Sequence, residues 1–384
     1  MAEQSQHAML PRASHDELAR QSFVQSLKIY LATRVSPGNE RIYERSAKPR
    51  FEREHRRAPR DRHEVRSVMA SEPYYRMWSA LQRTSQEMMW DSVATSVERQ
   101  LDELVETARA SGGAGGTLTL DPALALPEYH AAVDIHCQPG GYHTELRQDD
   151  MAAGAIYDRA VYIYAMGRMG PFNDDMGRST VNWLLREHPD FKPAKILDLG
   201  CSVGHSTIPY VEAFHGAEVH AIDVAAPMLR YAHARAEALG RRVHFSQQNA
   251  ERTNFSDASF DLIVSHILLH ETSAGAIRRV IAECRRLLRP GGMMIHAEVP
   301  QFEGLPPYAA FMLDWDTYNN NEPFWGRYHD LDLRALAAEA GFKPENVSQI
   351  MVPSAFEQAR ARTKLLQGGD FGGAGQWFLY IARA

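Results

Sequence analysis

Cysteine is scarce in this chain, long apolar runs are missing, and basic charge is not in excess. The three cysteines among 384 residues, Cys137, Cys201 and Cys284, stand far apart with no C-x-x-C spacing. That excludes a disulfide framework and a cysteine zinc site, and fits a reducing compartment. No stretch approaches the ~18 apolar residues of a membrane span. Met1 to Ser22 is polar and mixed in charge, without the apolar centre of a leader peptide. The expectation is a cytoplasmic protein with no membrane partner. A formal net charge of −6 leaves no basic excess for a polyanion, so no nucleic-acid partner is expected. No internal repeat is present.

What remains is ordinary globular material, 44% hydrophobic and 23% charged, long enough for two folded units. Residues 16–33 carry Leu18, Phe23, Leu27, Tyr30 and Leu31 at roughly helical spacing, with Ser14 placed as an N-cap. Between Arg41 and Arg66, arginines alternate with Glu52, Glu54, Asp61 and Glu64, which reads as a solvated helix or linker rather than a phosphate patch. Residues 73–110 predict one long amphipathic helix or two, with Met77, Leu81, Trp90, Val93, Val97 and Leu104 on the apolar face. The run Ser111 to Gly116 breaks it as a flexible linker. Residues 117–190 read as mostly helical. The first 185 residues thus form an α-rich region, expected to complete a pocket and to offer its helices to a homodimer.

At Lys195 the pattern changes, and 186–384 reads as a second unit. KILDLG, EVHAID, RVHFSQQ, FDLIVSH and MMIHAEV are short apolar runs separated by helical stretches. Such alternation means βαβ units and a Rossmann-like, mostly parallel sheet of the α/β class, here of seven strands. Val347 to Val352 and Gln376 to Ala382 would pair to close its edge.

After the first strand comes Asp198-Leu199-Gly200-Cys201-Ser202-Val203-Gly204-His205. A glycine-bearing turn leading into a helix, here expected from His205, lets backbone amides approach a ligand. Asp223 ends the next strand, where a carboxylate can accept both ribose hydroxyls. The run resembles motif I of class I S-adenosylmethionine (SAM)-dependent methyltransferases, D-x-G-x-G-x-G. Asp223, Asn249-Ala250, Phe260-Asp261-Leu262-Ile263-Val264 and Leu287-Leu288-Arg289-Pro290-Gly291-Gly292 follow in the family's order. A nicotinamide site is the rival, disfavoured by the first-turn spacing and the Pro-Gly-Gly turn. Two departures stand out. Ser202 replaces the middle glycine, which is tolerable if its φ stays negative. Asn249 replaces a frequent aspartate, and its amide oxygen can still accept from the adenine amino group.

The resemblance implies SAM as cofactor, with S-adenosylhomocysteine as product. Asp198, Gly200, Cys201 and Gly204 would lie at the methionine end, and Ser265 near the cofactor. Asp223 would hold the ribose, and Val224, Met228, Asn249 and Ala250 would surround the adenine. The fourth strand of the unit delivers His266 and Leu269-His270-Glu271 to the ligand edge. That tripeptide resembles the Leu-His-Asp step of aromatic O-methyltransferases, which implies His270 as general base, with His266 as second candidate. The two histidines are four apart, but no third metal ligand is evident. An aromatic insertion at 300–330 contains Trp315 and Tyr318. These would wall a substrate pocket, dock on the N-terminal helices or a second subunit, or do both. Tyr142, His143 and Tyr157 precede the unit as further substrate contacts. The reading is methyl transfer to a small molecule, most naturally a hydroxyl. Transfer to N, C or S by proximity, a non-catalytic SAM-binding protein, and an RNA methyltransferase are the alternatives.

Overall fold

The computed structural model describes residues 4–356 and 375–384. Among them eight strands form one sheet: β1 (Thr117–Thr119), β2 (Lys195–Leu199), β3 (Glu218–Asp223), β4 (His244–Gln247), β5 (Phe260–His266), β6 (Leu288–Glu298), β7 (Val347–Pro353) and β8 (Gln376–Arg383). Their order is β1-β4-β3-β2-β5-β6-β8-β7. All neighbours are parallel except β8, which runs antiparallel to both β6 and β7. The mostly parallel Rossmann-like sheet and its closing strand pair are as expected.

β1 is an addition, drawn from a stretch expected to be helical. It exists because its approach is tied down. The Ala114 and Gly116 amides donate to the Glu237 carboxylate at 2.9 and 2.8 Å, and the Thr117 amide to the Val243 carbonyl at 3.1 Å. The Ser111–Gly116 run is therefore pinned rather than free.

Strand alternation sends Ile196 to one face of the sheet and Leu197 and Leu199 to the other. The second face is closed by Ile277, Val280, Ile281 and Cys284 of helix Ala274–Leu287. Strand order reverses between β2 and β5, which opens a crevice at their carboxyl ends.

The N-terminal helices pack against this unit. Helix His15–Tyr30 begins at Ser14 as expected, with a capping box closed by Glu17. Its orientation is not as expected. Leu18, Phe23 and Tyr30 are exposed, while Glu17, Gln21, Val24, Gln25 and Lys28 face inward. Polar partners make the inversion possible: Glu17 pairs with Arg99 at 2.8 Å, Gln21 donates to Ser96, and Lys28 donates to Gln86 at 2.7 Å. Helices Pro73–Arg99 and Leu101–Ala110 occupy the predicted span. The arginine-rich segment is helical over Lys48–His55 and Arg62–Met69, the helix of the expectation rather than the linker. Arg62 pairs with Asp314 and Asp330, and Arg66 with Asp314, which clamps it to the aromatic insertion. No helix among the described residues is long and apolar enough to cross a membrane.

Asp158, on helix Ala152–Tyr164, joins these parts. Its carboxylate is fully buried and meets Gln4 at 3.1 Å, His7 at 3.2 Å, His205 at 2.9 Å, the Tyr231 hydroxyl at 2.8 Å and Arg235 at 3.2 Å. Burial opposes its charge, but Arg235 and the histidines outweigh that and hold the carboxyl well below its usual range. This contribution is therefore present above the ordinary aspartate pKa and is lost as pH falls below it. Asp158→Asn strands the buried Arg235 charge and should destabilise the fold by about 3–5 kcal/mol. Urea unfolding at neutral pH measures this. A loss of less than about 1 kcal/mol would show that the cluster does not hold the parts together.

Candidate functional site

A cleft of about 810 Å³, including its open mouth, lies at the carboxyl ends of β2, β3 and β5. Its floor starts at the turn after β2. Gly200 has φ 64, and a Cβ there would stand 2.6 Å from the Leu268 side chain. Only glycine takes that turn without displacing Leu268. Ser202 departs from expectation: its φ is +51, not negative, so a serine sits where the left-handed region favours glycine. Its Oγ is buried without a hydrogen bond among the described residues. The helix expected from His205 starts only at Ile208, after turns that consume Gly204 (φ 77). The turn residues Gly200 and Ser202, rather than a helix end, therefore line the cleft.

Asp223 closes β3 and lines the cleft. Its carboxylate accepts the Ser202 and Ala225 amides, each at 2.9 Å. Burial nevertheless pushes its pKa up to about 6. Val224, Met228, Asn249 and Ala250 also line the wall, as expected, and Gln248 and Glu251 join them unforeseen. The Asn249 amide oxygen already accepts the Glu251 N–H at 2.9 Å, which ties that loop to itself.

Several candidates stand elsewhere. Asp198 is buried behind the turn, accepting from Thr207 Oγ1 at 2.6 Å. Cys201 is buried, with its amide on the Ile222 carbonyl. Neither they nor Gly204 line the cleft. Ser265 points into the sheet toward His296 Nδ1 at 2.6 Å, a ring kept neutral because burial pushes its pKa to about 3.

The roof comes from residues before β2. Tyr157 stacks beside His205 with centroids 6.0 Å apart, Tyr142 stands edge-on to Tyr157 at 5.6 Å, and Tyr129 and His130 complete the wall. His143 lies behind His130 at 5.4 Å and does not reach the cleft. Trp315 and Tyr318 are corrections too. The Trp315 indole donates to Ser79 at 2.7 Å and packs beside Trp78, while Tyr318 is exposed beneath the Arg66 guanidinium at 3.6 Å. Tyr308, Phe311 and Trp315 pack against the N-terminal helices, the second of the uses considered, while Phe302, Trp325 and Tyr328 join the core on the sheet face covered by helix Ala274–Leu287.

The two histidines separate. His266 lines the cleft, with Nε2 3.1 Å from the Tyr210 hydroxyl and Nδ1 3.4 Å from Asp198. His270 does not line it. Its ring is fully buried, with Nδ1 2.7 Å from Glu298, Nε2 3.8 Å from Glu322, and Trp325 edge-on at 4.8 Å. Leu269–Glu271 is a single 3₁₀ turn, in which successive side chains diverge by about 120°. The turn that sends His270 inward brings Glu271 to the cleft instead.

Behind Glu271 stands His136, which no sequence signal singled out. Its Nε2 is 3.1 Å from Glu271, and its Nδ1 is 3.2 Å from Glu322. Its carbonyl accepts from Trp90 at 2.7 Å and Gln86 at 3.1 Å. Burial opposes its charge, but Glu322 and Glu271 outweigh it and raise its pKa well above the ordinary histidine value. Among the described lining residues, Asp223, Glu251 and Glu271 carry carboxylates, and no lysine or arginine is present.

Residues 196–292 match the protein family described as "Methyltransferase domain". The chain is 31% identical over 170 residues to a demethylmenaquinone methyltransferase of Thermus thermophilus, covering 44% of this chain and 73% of that one. It is 28% identical over 125 residues to an uncharacterized protein of Haemophilus influenzae, covering 32% of this chain and spanning about half of the relative (49%). A solved structure of Haemonchus contortus phosphoethanolamine N-methyltransferase 2 is also similar, with a TM-score of 0.42 at 18% identity. That match covers 59% of this chain and 57% of the other.

Ser202→Gly removes the strained Cβ without deleting a side-chain hydrogen bond. The turn's cost of about 1–2 kcal/mol is partly offset by the freer unfolded glycine, so a net gain of about 0.5–1 kcal/mol is expected. A higher denaturant midpoint at unchanged m-value checks it. A lower midpoint would mean that the serine stabilises the turn.

Proposed function

The chain belongs to the class I SAM-dependent methyltransferases, and we propose that it moves the methyl group of SAM to a small acceptor that carries a hydroxyl. The observation that carries this reading is the Asp223 carboxylate at the end of β3, beside the Gly200 turn and in an open cleft. The fit to SAM is good in charge. Three carboxylates without a lysine or arginine suit a sulfonium cation. Asp223 would accept the ribose hydroxyls, Val224 and Met228 would flank the adenine, and Asn249 and Ala250 would meet its edge.

When bound, SAM supplies an activated methyl carbon, so the protein's task is alignment, exclusion of water and removal of one proton. Tyr142 and Tyr157 form an apolar lid with polar tips over the cleft. The same charge pattern bears on the acceptor. A phosphate- or carboxylate-bearing molecule would find no lysine or arginine on the described walls, so a neutral or cationic acceptor is favoured. Similarity to a demethylmenaquinone methyltransferase supports a small-molecule acceptor. His266 would stand near the reacting atoms. His270 would act only from behind the wall.

Two measurements test the reading. Protonated Asp223 loses the acceptor that ribose needs, so SAM affinity should be flat above about pH 7 and fall as pH drops through about 6. Calorimetric titration of SAM across that range checks the sign, and unchanged affinity down to about pH 5 would remove Asp223 from the ribose role. Asp223→Ala should weaken SAM about 10- to 100-fold, since hydrogen bonds to a charged group are worth about 1.5–3 kcal/mol. Full affinity in that variant would overturn the site assignment.

A further inference from the structure

We propose that Glu271 is the catalytic proton acceptor of this site and that His136 is its positioning residue, an inference that rests on the hydroxyl-acceptor reading above. Glu271 lines the cleft from the turn after β5, the edge where an acceptor meets the methyl donor, and 17% of its side chain is exposed. The other two lining carboxylates are engaged. Asp223 takes two backbone amides, and Glu251 takes Arg279 at 2.6 Å and the Tyr129 hydroxyl at 2.8 Å.

Glu271 is also the outer end of a chain of alternating carboxylates and imidazoles. His136 stands 3.1 Å behind it, Glu322 is 3.2 Å behind His136, His270 is 3.8 Å beyond, and Glu298 is 2.7 Å further still. Of these five groups, Glu271 is the one that lines the cleft. His136 is delivered there by backbone in an unfavourable conformation, with φ 54 at His136 and φ 62 at Cys137. Non-glycine residues held this way persist where the surroundings enforce them, as at functional sites. Here Gln86 and Trp90 grip the His136 carbonyl, and Glu322, itself held by the Asn320 amide at 2.8 Å, grips its ring.

In the step itself, a lone pair on the acceptor oxygen forms the new C–O bond. The C–S bonding pair stays on sulfur, and the hydroxyl proton passes to Glu271. From there it leaves by the cleft mouth. His136, charged between Glu271 and Glu322, holds the carboxylate aimed at the acceptor. The groups facing this pair are Glu322 and Asn320 from the insertion, Tyr164 from helix Ala152–Tyr164, Cys137 beside His136, and His130 and Asp223 across the cleft, with His270 and Glu298 beyond Glu322.

The test uses the full chain with SAM and three hydroxyl probes, catechol, naphthohydroquinone and benzyl alcohol, and reads release of S-adenosylhomocysteine. With the best probe and saturating SAM, Glu271→Gln should lower kcat by about 100-fold or more, with SAM binding near pH 7.5 retained. That retained binding also reports that the variant is folded. His136→Gln keeps a donor but removes the imidazolium. Its kcat should fall about 10-fold with KM for the probe and SAM affinity unchanged, because the base is misaimed while the binding walls stand. A purely structural role would raise KM and weaken SAM along with kcat, and that result overturns the positioning claim. Wild-type turnover that survives in Glu271→Gln overturns the inference alone. SAM binding with no methylation of any hydroxyl probe by the wild type overturns the hydroxyl reading, and the inference with it.

Discussion

One ionised carboxylate, sealed from water, organises the relation between the N-terminal region and the sheet. Asp158 takes polar atoms from the N-terminal arm (Gln4, His7), from the loop after β2 (His205) and from helix Ala226–Ala238 (Tyr231, Arg235). In a low-dielectric interior such a group is costly alone and strongly held when every partner is present. Five partners from three other parts of the chain must therefore be in place together. The next residue along the helix, Tyr157, turns the other way and lines the cleft, stacked beside the same His205. The roof of the site is thus anchored one residue from the charge that binds the parts.

Strain in the backbone is collected around that cleft. Ser202 after β2 and Ile267 after β5 both have positive φ, at the two strand ends where the sheet order reverses. For β-branched Ile267 this is a marked departure, and its amide is tied to the Ala297 carbonyl at 2.8 Å. His136 and Cys137 add two more such residues just behind the wall. Each conformation is tolerated because neighbours hold it. Polar packing plays the same part in the first helix. Its buried stripe is glutamate, glutamine and lysine, each answered by a partner, while Phe23 and Tyr30 remain in solvent.

By itself the sequence determined the elements whose cause is local. Strand alternation, the Gly200 turn, the Ser14 cap and the carboxylate ending β3 follow from periodicity and from short-range backbone geometry. These sufficed for the sheet and for the cleft wall of Gly200, Asp223, Val224, Met228, Asn249 and Ala250. Tertiary structure decided everything that depends on which way a side chain turns or on what arrives from far along the chain. A single 3₁₀ turn exchanged His270 for Glu271 at the cleft, because neighbouring residues in such a turn point about 120° apart. Trp315 and Tyr318 went to the N-terminal helices because apolar faces and arginines were waiting there. His136 meets Glu271 across 135 residues of chain, a pairing that carries no local signature and exists only once the fold has closed.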